Sequence, residues 1–211
     1  MIKVYYTVIS DYEINDYLKQ VSPNRLAKMS LHPKQQKVSI IAEFLAYYAL
    51  ENEGVNSSEI NLEYGSFQAP HYHHKYDISI SHSNNLVTVA IGDKNIGVDC
   101  QLIEERNTLI ANRILTQEEL NDVEVDAVNV TRMFCGKEAV MKLLKQGSKL
   151  GFKNINITNN LATYDGTQFD LSYNLLEVGD QLYQLAVAYQ SDGDIPYMEI
   201  KQTDLLQRNL K

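Results

Sequence analysis

Asp99, Glu138 and Lys142 are the side chains whose types and spacing suit chemistry on a phosphate. Asp99 lies in Ile96-Gly97-Val98-Asp99-Cys100-Gln101. The period of two in a strand puts Ile96, Val98 and Cys100 on one face and Gly97, Asp99 and Gln101 on the other, away from the expected core. A carboxylate beside an amide oxygen suits Mg²⁺, because hard cations take oxygen donors, and Gly97 leaves room for a ligand. Taken alone, Asp99 is equally a solvent-facing carboxylate on a hairpin. Phe134, Glu138 and Lys142 are spaced by four and form one stripe on an expected helix. A carboxylate and an ammonium one turn apart can serve as metal ligand or base and as phosphate clamp. They can also be an ordinary ion pair worth about 0.2–0.5 kcal/mol. Gly136 costs that helix about 1 kcal/mol relative to Ala, which makes sense where another backbone or a ligand comes close.

Ile78-Ser79-Ile80-Ser81-His82-Ser83 ends a strand in a hydroxyl-rich turn that could hydrogen-bond a phosphate or a ribose. The same alternation puts His82 on the face of Ile78 and Ile80, where a half-buried histidine is the plain alternative. His71, His73 and His74 suggest zinc, but no His-Glu-x-x-His helix, nearby cysteine ligand or second spaced pair accompanies them. Cys100 and Cys135 are the only cysteines, in apolar contexts and without a Cys-x-x-Cys spacing, so both are expected to be reduced packing residues. Phosphate-binding loops of the Gly-x-x-x-x-Gly-Lys type and dinucleotide Gly-x-Gly-x-x-Gly turns are absent.

The elements that must position these residues read as a soluble α+β protein. The 211 residues are 44% hydrophobic and 22% charged, without an apolar run long enough to span a bilayer or a signal peptide at the start. A cytoplasmic location is expected. The net charge of −8 argues against nucleic-acid binding, yet Tyr17 to Ala42 contains no Asp or Glu and carries Lys19, Arg25, Lys28, Lys34 and Lys37. Such a local positive field could hold a small phosphorylated ligand or an acidic protein, or be a solvated helix face.

Expected elements are a strand at 2–9, a helix within 11–19, a helix opened by Ser22-Pro23 and carrying Arg25 and Lys28, and a long helix at about 34–51 closed by Gly54. A strand at 78–81 follows, then a hairpin of 86–91 and 96–101 joined by Gly92-Asp93-Lys94-Asn95. Helices are expected at 108–113, after Thr116 and at 130–144, and strands at 155–158, 170–175, 181–189 and 197–200. Each half is thus helices with a small, mostly antiparallel sheet, dividing near residues 92–95 into 1–94 and 95–211.

In order, Ile80-Ser81-His82-Ser83, Ile96-Gly97-Val98-Asp99 and Phe134-Cys135-Gly136-Lys137-Glu138-Ala139 followed by Lys142 resemble the Sfp-type 4′-phosphopantetheinyl transferases. Weaker echoes occur at Ser22-Pro23, at Glu63-Tyr64-Gly65 and at Leu115-Thr116 with Glu119. The resemblance implies two similar α+β halves packed as an intramolecular pseudo-dimer, with the site in the cleft between them. It implies a monomeric enzyme that moves the 4′-phosphopantetheine arm of coenzyme A to a serine of an apo acyl or peptidyl carrier protein, releasing 3′,5′-ADP. Asp99 and Glu138 are implied as Mg²⁺ ligands, with Gln101 beside them directly or through water. Glu138 is also implied in removing the serine proton and Lys142 in neutralising phosphate charge. Arg25, Lys28, Ser81 and His82 are implied on the coenzyme A side. Such enzymes serve fatty-acid, polyketide, nonribosomal peptide or lysine synthesis.

Some positions depart from the family pattern. Gln101 stands where an acidic residue is usual, Phe134 where Trp is usual and Ser79 where Asn is usual. Ser66-Phe67 replaces Lys-Pro, and Val38 lies near an expected Arg. The loss of a charge at position 101 motivates the alternative of a catalytically weakened module that binds coenzyme A or a carrier protein.

Overall fold

Alternating apolar residues build the first sheet, and a helix apolar on most of its circumference covers it. A computed structural model of the protein describes residues 1–9, 32–60, 62–64, 70–71, 76–190 and 195–205. Strand β1 (Ile2–Val8) is followed by helix α1 (Pro33–Asn52), with Pro33 opening the helix. Two short strands, β2 (Glu63–Tyr64) and β3 (Pro70–His71), pair with each other. Then come β4 (Asp77–Ser83), β5 (Leu86–Gly92) and β6 (Gly97–Leu102). The 3₁₀ turn Glu105–Ile110 leads into α2 (Ala111–Ile114) and α3 (Gln117–Asp122), and α4 (Ala127–Leu143) follows. The chain continues through β7 (Asn156–Thr158), β8 (Leu161–Tyr164), β9 (Thr167–Val178) and β10 (Gln181–Tyr189), and then β11 (Tyr197–Glu199) and α5 (Gln202–Leu205).

The strands form a four-stranded sheet in the order β11-β1-β5-β4 and a five-stranded sheet in the order β6-β10-β9-β8-β7. One face of the first sheet, with Tyr5, Ile78, Val87, Val89 and Ile91, packs on Ile41, Phe44, Leu45 and Leu50 of α1. Its other face, with Val4, Leu86 and Ala90, meets Ile96, Val98, Cys100, Leu185 and Val187 of the second sheet. The far face of the second sheet, through Phe169, Leu171, Ala186 and Ala188, packs on Val130, Ala139, Val140 and Leu143 of α4. The order of layers is therefore helix, sheet, sheet, helix. β5 is buried along its whole length and is apolar except at Thr88, because it has cover on both faces and a partner on each edge.

The expected α+β class with two sheets and helices holds. The hairpin expected between Leu86–Ile91 and Ile96–Gln101 does not form. Both edges of β5 are taken, by β1 and β4, while β6 pairs with β10, so Gly92-Asp93-Lys94-Asn95 carries the chain from one sheet to the other. A further strand, β8, sits between two-residue turns at Asn159-Asn160 and Asp165-Gly166, whose central residues all have positive φ as such hairpin turns require. The chain's later residues return to the first sheet, where β11 pairs with β1 in parallel and Leu205 is buried against the α1 core. Among the described residues, no helix is long and apolar enough to cross a membrane.

Candidate active site

The site is set by how closely α4 lies on β6. The Asp126 side chain caps α4 by accepting from Asn129 N at 2.7 Å, so the helix starts one turn earlier than its apolar pattern suggests. Gly97 lies directly under that helix. A Cβ there would overlap the carbonyl oxygen of Ala139 and the amide nitrogen of Leu143, both backbone. The room that Gly97 leaves is therefore filled by α4, not by a ligand. The face of β6 that carries Gly97, Asp99 and Gln101 is covered by the helix, and Asp99 is buried where an exposed hairpin position was the simple expectation. Gly136 has its own cause, since a Cβ there would overlap the Tyr173 hydroxyl and crowd Ile157.

This contact brings Lys142 onto Asp99. Lys142 Nζ lies 2.7 Å from Asp99 Oδ1 and donates to Val98 O at 3.0 Å. Asp99 Oδ1 also accepts from Ser81 Oγ at 2.7 Å. The other carboxylate oxygen, Oδ2, is buried without a hydrogen-bond partner. Such an atom is costly unless a cation or donor completes it.

Glu138, one turn before Lys142, is half-buried. Burial, and then the negative charge of Asp99, push its carboxyl above the ordinary carboxylate value, with Lys142 opposing. For Lys142, burial disfavours the charge, but Asp99, through its charge and hydrogen bond, and Glu138 outweigh it and hold the ammonium above its ordinary value. Lys142 therefore stays charged while Glu138 is poised to take a proton.

His82 ends the face that packs on α1 at Ile78 and Ile80, and its side chain runs out to the exposed surface. Local desolvation and the Lys142 charge lower its imidazole pKa, and Asp99 pulls the other way. His82 thus belongs to the same electrostatic cluster. Gln101 is half-buried on the Asp99 face of β6, in register with Gln184 of β10. Arg25 and Lys28, the Ser22-Pro23 helix start, His73 and His74 lie outside the described residues, and His71 falls in β3 opposite Glu63.

Among the described residues, no three His, Cys, Asp or Glu side chains cluster as a closed metal cage. Two carboxylates with an unpartnered buried oxygen and a nearby amide instead fit Mg²⁺, which is held by one or two carboxylates and completes its shell with water and substrate phosphates. Cys100 and Cys135 are both free and buried. Burial pushes the Cys100 thiol up to about 12 and the Cys135 thiol well above its ordinary value, so neither is a nucleophile at neutral pH.

Lys137 is the neighbour of Glu138 whose role the spacing does not reveal. Its ammonium is fully buried, donating to Glu119 Oε2 at 2.6 Å, Ile114 O at 2.8 Å and Phe152 O at 3.1 Å. Glu119 in turn closes the Thr116 capping box at the start of α3 and accepts from Ile157 N at 2.8 Å in β7. Thr116-x-x-Glu119 is readable in the sequence as a cap, but its link to Lys137 is a tertiary contact.

Comparison with curated proteins gives no match. Comparison with protein families matches residues 95–188 to the 4′-phosphopantetheinyl transferase superfamily, a segment running from the start of β6 almost to the end of β10. Asp99, Gln101, Glu138 and Lys142 all lie within it, as do the buried Lys137 and Glu119, and this segment of the chain is a domain of the 4′-phosphopantetheinyl transferase superfamily.

Proposed function

We propose that the protein transfers the 4′-phosphopantetheine arm of coenzyme A to a serine of an apo acyl or peptidyl carrier protein in a Mg²⁺-dependent reaction. The observation that carries this reading is the Asp99–Lys142 pair beside Glu138, with Asp99 Oδ2 buried and unpartnered, inside the matched segment. The carrier serine oxygen forms a bond to the phosphorus that bears the pantetheine. The pyrophosphate P–O bond breaks, and 3′,5′-ADP leaves with the bonding electrons.

Asp99 and Glu138, with Gln101 directly or through water, would hold Mg²⁺, which supplies positive charge to the pyrophosphate oxygens. Glu138, its carboxyl raised by burial, accepts the serine proton directly or through water. Lys142 stays charged and neutralises the phosphate as charge develops. His82, Arg25 and Lys28 are assigned to the 3′-phosphate end of coenzyme A by the resemblance. On this reading the chain divides into pseudo-dimeric halves, 1–94 and 95–211, with β11 and α5 of the second half returning to the sheet and core of the first, and the cleft lies where β4 meets β6. A monomer acting in the cytoplasm fits this reading.

The test mixes the purified protein with coenzyme A, Mg²⁺ and each of several apo carrier proteins, followed by intact-mass analysis. A mass gain equal to the phosphopantetheine arm on a carrier supports the reading. Coenzyme A binding without an adduct on any carrier would favour a weakened binding module, the reading that Gln101 motivates.

A further inference from the structure

The polar side chains of β4 recur at every second residue, and each meets a backbone N–H of β6 or of Ile96 just before it. Ile96 N donates to Asp77 Oδ2 at 3.0 Å, Val98 N to Ser79 Oγ at 2.9 Å, Cys100 N to Ser81 Oγ at 3.3 Å and Leu102 N to Ser83 Oγ at 2.9 Å. Every pair is separated by 19 residues. The partners therefore advance together, and the two strands run side by side in the same direction. Side chains of one sheet take the place that backbone carbonyls hold in an ordinary ladder, and the two sheets are joined along this line.

Ser81 is the rung that also reaches a site carboxylate. While accepting from Cys100 N, its hydroxyl donates its one proton to Asp99 Oδ1 at 2.7 Å. Its own carbonyl accepts from Thr88 Oγ1 at 3.4 Å, which fixes the backbone beneath it. Asp99 Oδ1 is thus held from two sides, by Ser81 and by Lys142, while Oδ2 has no partner. Rotating the carboxylate so that its oxygens exchange would break both bonds. The resemblance groups Ser81 with the residues that hold coenzyme A, yet this geometry leaves its hydroxyl no proton to give a phosphate.

We propose that Ser81 is a positioning residue: held by the Cys100 N–H, its hydroxyl locks the Asp99 carboxylate so that Oδ2 faces the divalent cation. The inference rests on the Mg²⁺-dependent reading of the site and adds the part that orients the metal ligand. Ser79 provides the internal control, because it makes the same kind of bond to β6 at Val98 N.

The experiment uses the full chain and its Ser81→Ala, Ser81→Thr and Ser79→Ala variants, titrating Mg²⁺ alone by calorimetry and then measuring kcat and the KM for coenzyme A. Ser81→Ala should weaken Mg²⁺ binding by about 10- to 100-fold, as loss of an outer-shell partner does. It should also lower kcat at limiting Mg²⁺ and leave the KM for coenzyme A unchanged. Ser81→Thr should restore Mg²⁺ binding. Ser79→Ala should lower the melting temperature and keep wild-type Mg²⁺ affinity. If Ser81→Ala does not fold, Ser81→Cys, a weak donor of similar shape, replaces it with the same expectation. Wild-type Mg²⁺ affinity in Ser81→Ala, or in Ser81→Cys where that replaces it, overturns the proposal, as does a raised KM for coenzyme A at constant Mg²⁺ affinity. A wild-type protein that does not bind Mg²⁺ overturns it too. A wild-type protein that binds Mg²⁺, shows the Ser81 effect and modifies no carrier would support the positioning role and sink the proposed reaction.

Discussion

Glu138 is held in a state that favours function over stability. Its raised carboxyl pKa means that the fold prefers the protonated form, burial being the main cause and Asp99 the second. Stability from this group is therefore fullest below the unfolded carboxyl value and is lost as pH rises through the folded one. Glu138→Gln keeps the shape and removes that loss. The variant should melt at a higher temperature than the wild type at neutral pH without metal, with the difference shrinking as pH falls below the carboxylate range. Its transfer rate should fall by about 100-fold or more, since a general base contributes roughly that much. Thermal melts over a pH series and the carrier mass assay read the two effects separately. A variant that melts like the wild type at every pH would mean that burial does not strain this carboxylate. Lys137, its neighbour, shows the opposite design, a charge used for structure. Lys137→Met would leave Glu119 buried without its cation, at a cost of about 3–5 kcal/mol. Chemical denaturation should show a loss of that size, and adding Glu119→Leu should recover part of it if the unpaired carboxylate is the cause.

At the scale of elements, the approach of α4 to β6 decides where these residues sit. The two glycines beneath and within the helix should respond differently to a methyl group. Gly97→Ala drives a Cβ into the backbone of Ala139 and Leu143, which can yield only if the helix moves, whereas Gly136→Ala meets the Tyr173 side chain and the tip of Ile157. Gly97→Ala should therefore cost about 1–3 kcal/mol and lower transfer as well, because the helix carries Glu138 and Lys142. Gly136→Ala should lose stability with a smaller loss of rate. Equal losses of rate in the two variants would mean that helix height does not tune the site. This contact also marks the limit of what was legible in the sequence. The spacing of Phe134, Glu138 and Lys142 and the alternation around Asp99 correctly assigned faces, since periodicity is local. It could not say what covers a face, so Gly97 read as space for a ligand and Asp99 as pointing away from the core. The hairpin of β5 and β6 failed for a related reason. Two adjacent apolar strands with a turn between them look alike whether they pair with each other or enter different sheets. The serines of β4 looked like a phosphate-binding turn because their acceptor role depends on a strand they do not pair with through their backbones.

At the scale of the whole molecule, the site depends on two sheets staying in register with each other, and three features hold them. The apolar layer of Val4, Leu86, Ala90, Ile96, Val98, Cys100, Leu185 and Val187 lies between them. The rungs of β4 join one edge to β6, and Tyr197 of β11 reaches from the first sheet to Ser172 of β9 in the second, with their hydroxyls 3.0 Å apart. Tyr197 also packs against that layer, and β11 covers the edge of β1 through Val4, Tyr5 and Tyr6. Removing residues 195–211 would uncover the edge of β1, delete the Tyr197–Ser172 contact and empty the place of Leu205 in the α1 core. The loss falls on the first sheet, whereas Asp99, Glu138 and Lys142 belong to the second layer and its helix. The shortened chain should therefore unfold in two calorimetric transitions where the full chain should show one, the first sheet and α1 melting earlier. Mg²⁺ should shift the later transition, because the carboxylates that bind it are in that layer, and should leave the earlier one in place. A single transition shifted as a whole by Mg²⁺ would show that the interlayer packing and the β4 rungs alone couple the two sheets, and that the returning strand contributes only to the edge it covers.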